Sequence, residues 1–209
     1  SRSSAASDVY KRQQPYSIAR TPNGKFAYTT NYGDNTLSAF SVNTGTGALT
    51  ALAPITAGAN PYTVAINSAG TFAYVVNANS GATPGTAMAF AVNNTTGALT
   101  QVGTTVNTGN TPQFIAVNSA GTYAYVTNAA DNTINVYSIS NTGALTASGT
   151  PVAAGTNPYY IAIAPSGGFM YVTNVLANTV SVFSINPSNG ALTLVDTTPT
   201  GNAPVTVLV

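Results

Sequence analysis

The sequence predicts an all-β fold built from repeated four-stranded antiparallel units, and three observations carry that prediction. A hexapeptide is written four times, as FAYTTN (Phe26 to Asn31), FAYVVN (Phe72 to Asn77), YAYVTN (Tyr123 to Asn128) and FMYVTN (Phe169 to Asn174). A proline opens each unit and returns at Pro15, Pro61, Pro112, Pro158 and Pro204, in steps of 46, 51, 46 and 46 residues. Only 4% of the residues are charged, against roughly 25% in an ordinary soluble domain, so the surface is made of Thr, Asn, Ser and Gly, which suit strands and turns. Four-stranded units of about 40–50 residues, stacked face to face, are the blades of a β-propeller.

Each element follows from its residues. The first strand of a unit comes directly after the proline, as YSIA, YTVA, QFIA and YYIA. Proline cannot donate to a ladder, so it belongs at a strand's beginning or edge. A turn with an aligned glycine follows, at Gly24, Gly70, Gly121 and Gly167. The hexapeptide is the second strand. Alternation puts Tyr123, Tyr125 and Thr127 on one face and Ala124 and Val126 on the other; a bulky face, a small face and no charge describe a strand buried on both sides. The third strand reads TLSAFSV, TAMAFAV, TINVYSI or TVSVFSI, and an unchanged GALT (from Gly47, Gly97, Gly143 and Gly190) leads into a more variable fourth.

The boundaries are therefore blades 15–60, 61–111, 112–157 and 158–203, with 204–209 starting the next. The longer second unit carries an extra loop, SGATPG, at Ser80 to Gly85. Residues 1–14 do not match the repeat and read as a non-native or disordered tail, without the apolar core of a signal peptide. The 3.6-residue period of a helical solenoid is absent, β-helix rungs are shorter, and tandem immunoglobulin-like domains need about 100 residues each.

Composition excludes several function classes. With 44% hydrophobic residues the chain can build a core. From Phe26 to Val209 there is no Lys, Arg, His or Glu, and the charges are Asp34, Asp131 and Asp196. Nucleic-acid binding and polybasic membrane contact are unsupported, and no apolar run reaches the length of a spanning helix. Cysteine is absent, which removes disulfide and thiol chemistry. No metal or cofactor is expected, and nucleophile-elbow, phosphate-loop and dinucleotide signatures are missing.

The YVTN core of the hexapeptide, the NPY-x-IA entry and the F-S-V/I-N…GALT hairpin resemble the YVTN-repeat β-propellers, a group that includes the lactonase-like seven-bladed propellers. The resemblance covers Pro15 to Val209. It implies seven blades, hence a partial ring of four blades and the first strand of a fifth, with unpaired edges through which the chain would self-associate. It also implies an exported protein, extracellular, periplasmic or at the cell surface.

Propeller ligands sit at the rim shared by the loops entering the first strands and the loops joining second and third strands. The residues nearest the channel mouth are Tyr16, Tyr62, Gln113 and Tyr159, a ring of tyrosines and an amide suited to a sugar or other small polar ligand; the plainer reading is that they close each blade on its neighbour. Arg20 is a further candidate, because the aligned positions hold Ile66, Val117 and Ile163. Asp34 and Asp131 occupy aligned turns, where Asp-Asn more often caps backbone than binds metal. Asp196 falls on the outer strand. Lactone hydrolysis needs a general base and oxyanion stabilisation, and the blades hold no His or Glu, so no catalytic residue is assigned. The leading expectation is a non-catalytic scaffold binding a small polar ligand, a glycan or a protein. The alternative is part of a lactonase-like enzyme, acting on a sugar or muconate-type lactone, with its catalytic residues in the missing blades.

Overall fold

A proline begins the innermost strand of every repeat, and in the computed structural model, which describes residues 14–79 and 84–209, each such strand opens a separate antiparallel sheet. The first sheet contains β1 (Pro15–Arg20), β2 (Phe26–Asn31), β3 (Thr36–Val42), β4 (Leu49–Ala51) and β5 (Ile55–Thr56). The second contains β6 (Pro61–Ile66), β7 (Phe72–Asn77), β8 (Thr86–Val92) and β9 (Leu99–Asn107). The third contains β10 (Pro112–Val117), β11 (Tyr123–Asn128), β12 (Thr133–Ile139), β13 (Leu145–Ala147) and β14 (Val152–Ala153). The fourth contains β15 (Pro158–Ile163), β16 (Phe169–Asn174), β17 (Thr179–Ile185) and β18 (Leu192–Pro199). Every sheet is a meander in sequence order, the blade of a propeller, and β1, β6, β10 and β15 lie side by side on the inner edge.

Two features differ from the sequence expectation. The outer strand of the first and third blades is broken in two, with β4 and β5 both pairing β3 and β13 and β14 both pairing β12. Pro54 and Pro151 fall at these breaks, where a missing N–H interrupts the ladder. Blades two and four lack that proline and keep a continuous outer strand with a bulge. Pro204–Val209, expected to start a fifth blade, forms no strand, because the second strand that would pair with it is not in the sequence. The tail at residues 1–13 and Ser80–Thr83 of the inserted loop lie outside the described residues.

The hexapeptide strands are the buried layer. Tyr125 and Val126 are both fully buried, so the strand has no solvent face. The bulky face of one blade packs on the small face of the next. Tyr28 meets Ala73 and Val75, Tyr74 and Val76 meet Ala124 and Val126, and Tyr125 meets Met170 and Val172. The closing Asn clamps its own hairpin: the amide of Asn31 donates to Thr36 and Ser38, and that of Asn174 to Thr179 and Ser181.

The GALT glycine completes the interface. It has positive φ (74° at Gly97, 84° at Gly143, 72° at Gly190), and a Cβ there would lie 2.3–2.4 Å from Phe72 (for Gly143), Phe26 (for Gly97) or Tyr123 (for Gly190) of the preceding blade. The Tyr28 hydroxyl donates to the Gly97 carbonyl at 2.8 Å and Tyr125 to that of Gly190 at 3.2 Å. The equivalent Tyr74 hydroxyl is buried and has no partner.

These tyrosines make stability sensitive to alkali. Burial raises the phenols of Tyr28 and Tyr74 from 10.0 to about 12 and pushes Tyr125 and Tyr137 up as well. In the unfolded chain they ionise near pH 10, so above that pH the unfolded state sheds protons the folded state retains. Their contribution is whole below about pH 10 and is lost as pH rises through about 12. The denaturation midpoint should fall steeply across that window; a flat profile would contradict the burial of these hydroxyls.

Candidate functional site

In every blade the residue after the opening proline falls in a register shift between the first and second strands. The pairing slips between Pro15 and Ile18, Pro61 and Thr63, Pro112 and Phe114, and Pro158 and Ile161. A bulge re-aims the unpaired side chain, and here it directs Tyr16, Tyr62, Gln113 and Tyr159 into one pocket of about 330 Å³, shared with Ser17, Thr63, Phe114 and Tyr160. That volume lies at the lower end of the ~300–1,000 Å³ usual for small-molecule sites.

The bulges are held across blade boundaries. The hydroxyl of Thr30 donates to the Tyr62 carbonyl at 2.9 Å and that of Thr127 to the Tyr159 carbonyl at 2.8 Å. The same hydroxyls accept the bulge N–H of their own blade, from Ser17 to Thr30 at 3.1 Å and from Phe114 to Thr127 at 3.2 Å. In the second blade Val76 stands where those threonines stand. The hydroxyl is supplied instead by Thr63, directly opposite Val76, which donates to the Gln113 carbonyl. Each mouth residue after the first therefore has its backbone fixed by the preceding blade.

The side chains form an aromatic cluster. Tyr16 packs on Tyr62 with ring centroids 4.6 Å apart and on Tyr32 at 5.1 Å, while Tyr32 meets Tyr62 edge-on at 6.2 Å. The hydroxyls of Tyr62 and Tyr159 lie 3.5 Å apart, joining blades two and four past Gln113. Burial, the Tyr159 hydroxyl and neighbouring phenols push the Tyr62 phenol up, so at neutral pH it is a proton-bearing donor and not a base. The Gln113 Oε1 is buried and has no hydrogen-bond partner, on a residue that lines the pocket. Tyr32 was not singled out by its sequence, although a signal exists: the aligned positions hold Ala78, Ala129 and Val175.

Arg20 does not join this pocket. It is four residues beyond Tyr16 on β1, about 13 Å along a strand, with its guanidinium against the Gly24 turn. Asp131 is engaged structurally, accepting from the Asn110 backbone N–H at 2.7 Å and its side-chain amide at 2.8 Å. Asn35, Asn132 and Asn178, at positive φ, each accept an N–H from the residue preceding the next proline or from its equivalent, at Asn60, Asn157 and Ala203. Asp196 lies exposed on β18 beside the Thr198 hydroxyl. Among the described residues no three His, Cys, Asp or Glu side chains gather in a metal-binding group, and no helix is long and apolar enough to cross a membrane.

The sequence matches the family described as Lactonase, 7-bladed beta-propeller, in two overlapping stretches, residues 2–116 and 107–209. The chain belongs to this family. No curated protein matches the lactonase-type chain. Among solved structures it is similar to a candidate 6-phosphogluconolactonase of Bacteroides fragilis, with 25% identity and a TM-score of 0.79, covering 93% of this chain and 58% of that one. A candidate 6-phosphogluconolactonase of Bacteroides uniformis (21% identity, TM-score 0.83) is covered over 56% of its length by 92% of this chain. The periplasmic gluconolactonase of Pseudomonas aeruginosa (21%, 0.78) is covered over 55% by 92%. The lactonase-type chain thus spans less than two thirds of the length of these structures, close to four blades of seven. Membership moves the functional expectation away from a non-catalytic scaffold and toward the lactonase-like alternative.

Proposed function

We propose that the chain is part of a lactonase-like hydrolase that opens a sugar or muconate-type lactone, and that these four blades supply ligand-binding residues of its channel mouth. The family match along the whole chain carries this reading. In the reaction water adds to the lactone carbonyl, the ring C–O bond breaks, and the alkoxide so released takes up a proton to give a hydroxy acid. Tyr62 and Tyr159 offer hydroxyl donors and Gln113 an amide to the ligand's oxygens, and the clamped bulges hold them in place without reorganisation. The described blades carry no His or Glu, Asp131 is occupied by Asn110, and neither Asp34 nor Asp196 lines the pocket. The group that activates water then belongs to blades beyond this sequence. The finer assignment as a YVTN-repeat protein, and an envelope location like that of the periplasmic gluconolactonase, are parts of the same proposal.

The test is hydrolysis of fresh aldonolactones, followed by acid release at constant pH. The gene product with the full set of blades should exceed spontaneous hydrolysis by orders of magnitude, whereas the 209-residue chain should not exceed it at all. A complete ring that leaves every lactone at the spontaneous rate would return the protein to the scaffold class.

A further inference from the structure

The pocket at the mouth differs in kind from one built for an anion. Its walls are Tyr16, Tyr62, Gln113, Tyr159 and the flanking Phe114 and Tyr160. Among the described residues the cations are Arg20 and Lys25, both at the far end of the first blade's inner hairpin, by the Gly24 turn. Phosphate is ordinarily held by arginine, lysine or the N-terminus of a helix, and the described residues contain no helix. An unpaired anion placed here would lose its hydration without replacement. The features that are present suit a different ligand. Tyr16 is 54% exposed and lines the pocket, while the Tyr32 and Tyr62 rings pack on it at a tilt. Beside it are two phenolic hydroxyls 3.5 Å apart and the Gln113 side chain, which lines the same pocket.

We infer that this arc of the mouth is a subsite for the uncharged ring of a sugar or sugar lactone, stacked on Tyr16 with its hydroxyls shared among Tyr62, Gln113 and Tyr159, and that it discriminates against a phosphorylated ring. Tyr32 is the positioning residue: it touches Tyr16 and Tyr62 but does not line the pocket. The identity of the ligand as sugar-derived rests on the lactonase reading above; the preference for a neutral ring rests on the pocket itself. A pyranose suits the geometry because its C–H face packs on an aromatic ring while its edge hydroxyls reach polar groups. The high Tyr62 pKa agrees with this, since the phenol remains a neutral donor.

The experiment titrates the 209-residue chain with methyl β-D-glucopyranoside and with its 6-phosphate, read by tyrosine fluorescence and by saturation transfer to ligand ring protons. The neutral glycoside should bind at least about tenfold more tightly than the phosphate, the equivalent of roughly 1.4 kcal/mol. Tyr16→Ala should weaken it about five- to tenfold and abolish saturation transfer from the aromatic protons. Tyr32→Ala should weaken it less, and Tyr32→Phe should restore it. Tyr16 is more than half exposed, so its variant should keep the wild-type denaturation midpoint. Equal or tighter binding of the 6-phosphate, no binding of either glycoside, or unchanged affinity in Tyr16→Ala would overturn the inference. Its failure separates from that of the reaction. A complete ring that hydrolyses phosphorylated lactones in preference to neutral ones removes the subsite and leaves the lactonase. A Tyr16-dependent neutral site on a ring that hydrolyses nothing does the reverse.

Discussion

Gly143→Ala should lose about 2–5 kcal/mol of stability, whereas Gly47→Ala, at the same place in the GALT motif of the first blade, should lose only about 1–2 kcal/mol. Both glycines have positive φ, 84° and 75°, so both substitutions carry the left-handed backbone cost. The difference lies across the blade interface. A Cβ on Gly143 would lie 2.3 Å from the Phe72 ring, while one on Gly47 meets nothing within 4 Å. Phe72 belongs to the hexapeptide of the preceding blade and packs, partly buried, against the cluster around Tyr74 and Val76, and overpacking there adds about 1–3 kcal/mol. Denaturant midpoints of the two variants measure it directly. Equal losses would show that the glycine is kept for its turn alone and that the blades do not pack as described.

Tyr125→Asp should be the most damaging single change, with a loss of several kcal/mol against a total stability that is ordinarily about 5–15 kcal/mol. Tyr125 is fully buried between the third and fourth blades, and its hydroxyl donates to the Gly190 carbonyl. Aspartate removes the ring, opens a cavity among Met170, Val172 and Phe183, and leaves either a buried anion or a carboxylic acid held neutral against its ordinary pKa. A milder pair isolates the hydrogen bond. Tyr125→Phe deprives the Gly190 carbonyl of its donor and should lose about 1–3 kcal/mol. Tyr74→Phe, at the same position one blade earlier, removes a buried hydroxyl that has no partner and should be neutral or stabilising. Melting curves that treat the two substitutions alike would contradict the hydrogen-bond assignment.

The architecture was legible because its signals are local. Each hexapeptide alternates large and small uncharged residues, which a strand must display on opposite faces, and burial on both sides follows whichever blades it meets. The glycines and prolines mark turns and strand openings through their own backbone chemistry. The broken outer strands were less legible: Pro54 and Pro151 are visible in the sequence, yet they interrupt a ladder only where the neighbouring strand would have needed their N–H. Four of the five residues proposed for the site were brought together, since they share one place after the proline. Arg20 was drawn by its distinctiveness among the copies, and alignment of copies says nothing about which end of a strand faces the channel. Tyr32 was missed for the complementary reason, because it lies in a loop whose path only the folded hairpin fixes.

By itself the sequence determined the class of fold, the repeat and its blades, and the absence of His and Glu from all of them, because pattern and composition are properties of the chain alone. The tertiary structure decided what the repeats become when they face one another. It placed Gly143 against Phe72, gave the Tyr62 and Tyr159 carbonyls to threonines of preceding blades, and gathered Tyr16, Tyr32 and Tyr62 into one aromatic cluster. Those contacts join residues 30 or more positions apart in most cases, and a sequence pattern carries no distance between blades.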